Sequence, residues 1–153
     1  CSGKPCKFEL VLRIPSWSNN AKISINGENL PARIGYNVIS KEWKNGDKIA
    51  VTLNPELSEI HFNGKTAYKY GGFVLSRDEY KEGESITGRF TPIIKDGKAV
   101  YEKMPVQEYE SIRLILKTHD GDVLLTDYAS CGKHWLEDKS RISVWLNESV
   151  LQN

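Results

Sequence analysis

Residues 8–14, FELVLRI, alternate without a break: Phe8, Leu10, Leu12 and Ile14 fall on one side of an extended segment, Glu9, Val11 and Arg13 on the other. Period two marks a half-buried strand, and Pro15, with no amide hydrogen for a ladder, closes it. Ile23 and Ile25 against Lys22 and Ser24 give a second alternation. It ends at Asn26-Gly27, a pair that tolerates the positive backbone angles of a tight hairpin. Asn37–Ile39 reads as short and extended, and Trp43-Lys44-Asn45-Gly46-Asp47 as a turn. Residues 48–53 form a strand with Ile49, Val51 and Leu53 inward, stopped by Asn54-Pro55.

Leu57 to Phe62 and Ala67 to Leu75 read as further strands, separated by Asn63-Gly64-Lys65. Gly71-Gly72 inside the second predicts a bulge or a close backbone approach. The stretch DEYKEGESITG, 78–88, turns polar and irregular, as a surface excursion or lid would. Ile93–Ile94, Ala99–Tyr101, Ile112–Leu116 and Val123–Leu125 are strand-like, with a hairpin at Lys95–Lys98. Residues 141–146 alternate again, placing Ile142, Val144 and Leu146 on one face and Trp145 on the other. No segment holds a 3.6-residue period. Only Tyr128 to Trp135 is helix-length, and Gly132 weakens it. Short strands punctuated by turns roughly every 8–12 residues predict an all-β chain. The expectation is a single antiparallel β-sandwich over 1–153, jelly-roll-like, with an irregular polar insertion around 78–118.

The chain's 153 residues suit one domain with a real core. Lys+Arg of 21 against Asp+Glu of 20 leaves a net charge of +1, without the basic footprint of a nucleic-acid binder. No apolar run approaches the roughly 20 residues that span a bilayer, and no signal-peptide hydrophobic region is present. Three cysteines, Cys1, Cys6 and Cys131, cannot all pair within one molecule. Cys1–Cys6, Cys131 with either, and no disulfide all stay open. A secreted or periplasmic location is expected. Cys1-Ser2-Gly3 would also suit a surface lipoprotein, although Phe8 begins a strand after very little tether.

Candidate chemistry is sparse. Cys131-Gly132-Lys133-His134 has a Cys-x-x-His spacing that zinc could use, but no second pair completes it, and His61 and His119 lie far along the chain. Asp120-Gly121-Asp122 offers oxygens to calcium, yet an Asp-Gly turn is more often a plain hairpin. Ser16 and Ser130 lack a nucleophile-elbow context, and no acidic pair sits in a catalytic motif. Asn147-Glu148-Ser149 matches the N-glycosylation pattern. No metal and no cofactor is expected. Aromatics are the richer signal: four tryptophans and seven tyrosines suit either packing or stacking on sugar rings.

FELVLRIPSW, ISING and GYNVISKEWKNGDKIAVTL together resemble the β-sandwich region that follows the catalytic barrel in glycoside hydrolase family 127. That family holds β-L-arabinofuranosidases and the proteins once grouped as domain of unknown function 1680. The resemblance is carried by Arg13, Ile14, Pro15 and Trp17; by Asn26 and Gly27; by Gly35 and Tyr36; and by Trp43, Gly46 and Asp47. AYKYGGFVLSRD, 67–78, is similar to a family strand in which proline usually stands where Gly72 does. Tyr128, Ala129, Val144, Trp145 and Leu146 match the family's closing segment, with Ser130-Cys131 in place of its aromatics. Residues 78–118 have no counterpart in the pattern.

The resemblance implies that catalysis belongs to a helical (α/α)6 barrel preceding this region, with a zinc-bound cysteine and a glutamate. No cysteine here sits in a matching motif, so no catalytic residue is carried over. It implies a non-catalytic C-terminal accessory domain packing on, or supporting, that absent barrel, with Trp145 and Tyr128 at the interface. The alternative is a carbohydrate-binding module using Trp17, Trp43 and Trp135. Expected partners are the barrel of the same longer chain, a second copy of the chain, or a plant-type glycan. Nucleic acid and a membrane span are not expected.

Overall fold

A computed structural model describes residues 3–133 and 135–149, and the chain divides after Glu56 into two compact units. Every strand pair described is antiparallel. Strands dominate and helices are single turns, the all-β antiparallel class that the spacing of strands and turns predicts.

The first unit holds β1 (Cys6–Ile14), β2 (Lys22–Ile25), β3 (Glu28–Leu30), β4 (Gly35–Trp43) and β5 (Ile49–Thr52). β1 pairs with β4 from Cys6 opposite Trp43 to Ile14 opposite Gly35, and the second sheet runs β3-β2-β5. Ile14, Ile23 and Trp43 are buried. The Pro15–Trp17 corner is fastened from inside. Buried Ser18 donates its amide to Pro15 O at 3.1 Å, while its Oγ accepts the Asn54 amide at 3.0 Å. Leu53, expected inward with Ile49 and Val51, is 37% exposed and lies beyond the strand's end; Val51 stands opposite Ile23 and Ile49 opposite Ile25. Val51 and Ile49 stay 41% and 38% exposed, because β5 is an edge strand with nothing beyond it in its sheet.

The second unit is built on a sheet of order β11-β12-β13-β8-β7-β6, with β14 pairing β8. The strands are β6 (Leu57–Phe62), β7 (Lys65–Tyr70), β8 (Phe73–Asp78), β11 (Tyr101–Lys103), β12 (Arg113–Leu116), β13 (Val123–Asp127) and β14 (Ile142–Ser143). A separate hairpin joins β9 (Ile94–Lys95) to β10 (Lys98–Ala99). Ala67 to Leu75 is two strands rather than one with a bulge. Tyr70 faces Phe73 across a turn at Gly71-Gly72, and Gly71 takes φ +55, which glycine reaches without a Cβ clash. Tyr68, Tyr70, Leu75, Phe90, Leu114, Leu116, Val123, Leu125 and Leu146 form the core.

Residues 78–118 contribute to that core through Leu114, Leu116, Phe90 and Ala99. The 78–88 excursion is anchored. Asp78 caps α1 (Glu79–Glu82) by accepting the Tyr80 amide, and Gly83 ends it in the left-handed region. The Glu79 carboxylate accepts the Arg141 amide at 2.8 Å, and Ile86 is buried. Tyr128 to Trp135 is not one helix: a 3-10 turn (Tyr128–Ser130) and α2 (Trp135–Asp138) are split at Gly132, which takes φ +79. No helix among the described residues is long and apolar enough to cross a membrane.

Candidate functional site

The second unit brings two of the tryptophans to one cavity. Trp135, on α2, and Trp145, just after β14, line one cavity of about 400 Å3 together with Lys65, Lys139, Arg141 and Asn147. Backbone bonds set this wall: Lys139 N donates to Trp135 O at 3.0 Å, and Thr66 and Leu146 exchange amide bonds at 3.0 and 2.8 Å. Ser143 Oγ donates to Trp145 O at 2.9 Å. The Trp145 ring meets Phe62 at 6.0 Å between centroids, tilted by 52°. Trp135 and Trp145 remain 57% and 40% exposed. No salt bridge among the described residues involves the side chains of Lys65, Lys139 or Arg141.

A second cavity, of about 500 Å3, lies between α1, the 107–110 turn and the 3-10 turn. On its floor Lys81 Nζ donates to Glu110 Oε1 at 3.0 Å and to Ser130 Oγ at 2.8 Å. Arg113 adds a bond to the same Glu110 oxygen at 2.9 Å. Burial pushes the Glu110 carboxyl up, but the Gln107 amide, Lys81 and Arg113 together hold it below its ordinary range. The Ser130 hydroxyl donates to Asp127 O at 2.9 Å, and its Lys81 neighbour is ion-paired with Glu110. The free thiol of Cys131 sits beside Ser76 Oγ at 3.0 Å and Thr126 Oγ1 at 3.2 Å. His134 of the Cys-x-x-His spacing lies outside the described residues.

A third cluster joins distant carboxylates. Buried Tyr68 and Thr66 both donate to Glu148, Thr66 at 2.8 Å. Thr66's single hydroxyl proton is thus spent, so His61 Nδ1, 2.9 Å from Oγ1, is the donor to it. His61 Nε2 lies 3.3 Å from Glu59 Oε2. Burial first, and the Glu148 charge second, push the Glu59 carboxyl up. Burial and Glu148 likewise keep the Tyr68 phenol protonated.

The remaining expected residues separate. Trp43 is buried in the first unit, its ring stacked on Phe8 at 5.5 Å and its Nε1 donating to Phe8 O at 3.1 Å. Trp17 is half-buried at the corner. Tyr128 is exposed on the 3-10 turn. Asp120 accepts the Thr91 amide at 2.7 Å and Asp122 pairs with Lys117 at 2.7 Å, so both turn carboxylates already have partners. No cluster of metal-ligating residues occurs among the described residues. Cys6 is disulfide-bonded; Cys1 lies outside the described residues. Sequence reading singled out Trp135 and Trp145 but not Lys65, Lys139 or Arg141. Their meeting depends on the pairing of Thr66 with Leu146, which no local pattern encodes.

Comparison with known proteins bears on the class. Residues 2–55 match the family model described as β-L-arabinofuranosidase, GH127 middle domain. The match thus gives a middle domain, where the motifs pointed to a C-terminal one. Among solved structures the chain is similar to Ara127N-Se, a GH127 β-L-arabinofuranosidase from Geobacillus stearothermophilus T6. The TM-score is 0.71 at 21% identity, over 95% of this chain and 27% of that one. It is also similar to the GH127 β-arabinofuranosidase BT3674, with a TM-score of 0.73 at 17% identity over 95% of this chain and 28% of that one. A further glycoside hydrolase aligns with a TM-score of 0.64 at 18% identity, over 94% and 28% of the two chains. At such identities the likeness is one of fold. The chain spans little more than a quarter of these proteins' length. No curated protein matches it.

Proposed function

We propose that this chain is a non-catalytic accessory β-domain of a longer, β-L-arabinofuranosidase-like glycoside hydrolase, following a helical catalytic barrel and packing on it. The observation that carries the reading is the match of residues 2–55 to the GH127 middle domain. The fold likeness over almost the whole chain, against about a quarter of each larger protein, supports it. Buried Trp43, already covered by Phe8, favours a packing role in the first unit over a sugar platform there. The disulfide at Cys6 supports a secreted or periplasmic location.

The test is the mass of the native product, by immunoblot of the source cells and medium with antibody raised against this chain. A band several times 17.4 kDa is expected. A band near 17.4 kDa would make the chain a self-standing protein and end the accessory-domain reading.

A further inference from the structure

The cavity between Trp135 and Trp145 differs from the other large cavities in its charge. Its walls carry Lys65, Lys139 and Arg141 and no carboxylate among the described lining residues. The Lys81 cavity, by contrast, neutralises its cations internally with Glu110. Three cations that make no salt bridge among the described residues thus line one wall beside two exposed indoles. The three cations are exposed and free to meet an anion, and exposed tryptophan is apolar area that water disfavours.

The two features have one complementary ligand chemistry. Indole faces stack on the apolar C–H faces of pyranose or furanose rings. Guanidinium and ammonium groups bind carboxylates through charge-assisted hydrogen bonds, with the Arg141 fork suited to both oxygens at once. A carboxylate on a sugar ring satisfies both. The volume of about 400 Å3 lies within the usual range for small-ligand sites, about 300–1,000 Å3. Nucleic acid would present the same anion-plus-ring chemistry, but the chain's net charge of +1 lacks the extended basic surface that backbone binding needs.

We propose that this cavity binds an acidic saccharide, with a uronic acid carboxylate between Arg141, Lys139 and Lys65 and the sugar ring against Trp135 and Trp145. That the carboxylate is carried by a sugar rests on the glycoside-hydrolase reading above. Such a site selects the charged residues of a glycan.

The experiment titrates the full-length native protein with galacturonic acid trisaccharide, following binding calorimetrically and by tryptophan fluorescence. A neutral galactose trisaccharide and a short DNA duplex are titrated in parallel. Saturable binding of the acidic sugar alone is expected. Arg141→Ala should weaken it roughly tenfold or more, and Trp135→Ala should do the same without lowering Tm, since that indole is largely solvent-facing. Arg141→Lys should restore part of the affinity. Equal binding of the neutral sugar, tighter binding of DNA, no binding at all, or acidic-sugar binding unchanged in both alanine variants would each overturn the proposal. The native mass decides the accessory-domain reading separately: a 17.4 kDa product can still bind uronate, and a large product can fail to.

Discussion

At the scale of single residues, two carboxylates shift in opposite directions for reasons their neighbours make plain. Asp47 accepts the Lys44 amide at 2.9 Å, Asn26 Nδ2 at 2.8 Å and Lys41 Nζ at 3.1 Å. These bonds, the backbone one foremost, lower its pKa to about 2. A depressed folded pKa contributes stability above the unfolded carboxylate range and loses it as pH falls through the folded value. Asp47→Ala should therefore be less stable than the parent at pH 7, and the gap should close as pH drops from about 4 to about 2, read as Tm against pH. Glu59 is the converse: burial and Glu148 raise its pKa, so the ionised form is the less stable one in the fold. Glu59→Gln should gain Tm relative to the parent as pH rises above the ordinary carboxylate range, and the gain should fade on acidification. A gain independent of pH would mean that charge is not the cause.

At the scale of elements, the turns were the legible part, because their backbone angles select residue types locally. Asn26-Gly27, Asn63-Gly64 and Asp96-Gly97 all take positive φ at both positions, and each joins a hairpin. Gly71-Gly72 carried the same signal but sat inside an unbroken apolar run, so the run hid a turn. Partial cover was the harder matter. Alternation assigns Val51 a face, but whether anything lies over that face depends on β5 being an edge strand, a fact of sheet order. Gly132 holds the break between the 3-10 turn and α2. At φ +79 an alanine would be strained, and its Cβ would stand 2.9 Å from Ile142 Cδ1, the mobile end of a side chain. The backbone strain dominates, so Gly132→Ala should cost about 1–2 kcal/mol, with Gly132→Asn milder. Urea unfolding would show this as a lower midpoint at unchanged slope. The same substitution should also blunt uronate binding, because the Gly132 carbonyl accepts the Trp135 amide at 3.1 Å and so sets where α2 begins.

At the scale of the whole molecule, the clusters with chemical content are those most distant in sequence. Tyr68 and Glu148 lie 80 positions apart, and Lys81 and Ser130 lie 49 apart. Periodicity reads neighbours two to four residues away, so it can find strands but not the order in which they meet. What the sequence does carry at long range is a motif pattern, and its strongest part, the opening corner, falls inside the matched residues 2–55. None of the three clusters is arranged for glycosidic cleavage. Glu110 is ion-paired, and Glu148 accepts from a buried phenol and a hydroxyl. Glu59 lies 3.3 Å from His61 Nε2, and the carboxylate that shares its cavity, Glu148, is the one already engaged by Tyr68 and Thr66, unlike the acid and base that such hydrolysis uses. The isolated 153-residue chain should therefore release no more arabinose from an aryl β-L-arabinofuranoside than buffer does, whereas the native product should turn the substrate over. A rate in the isolated chain that Glu59→Gln or Glu148→Gln abolishes would place catalysis in the second unit and overturn the division of labour proposed here. Activity absent from the native product as well would leave the chain an accessory of some other hydrolase, and the acidic-sugar titration would then be the better guide to its substrate.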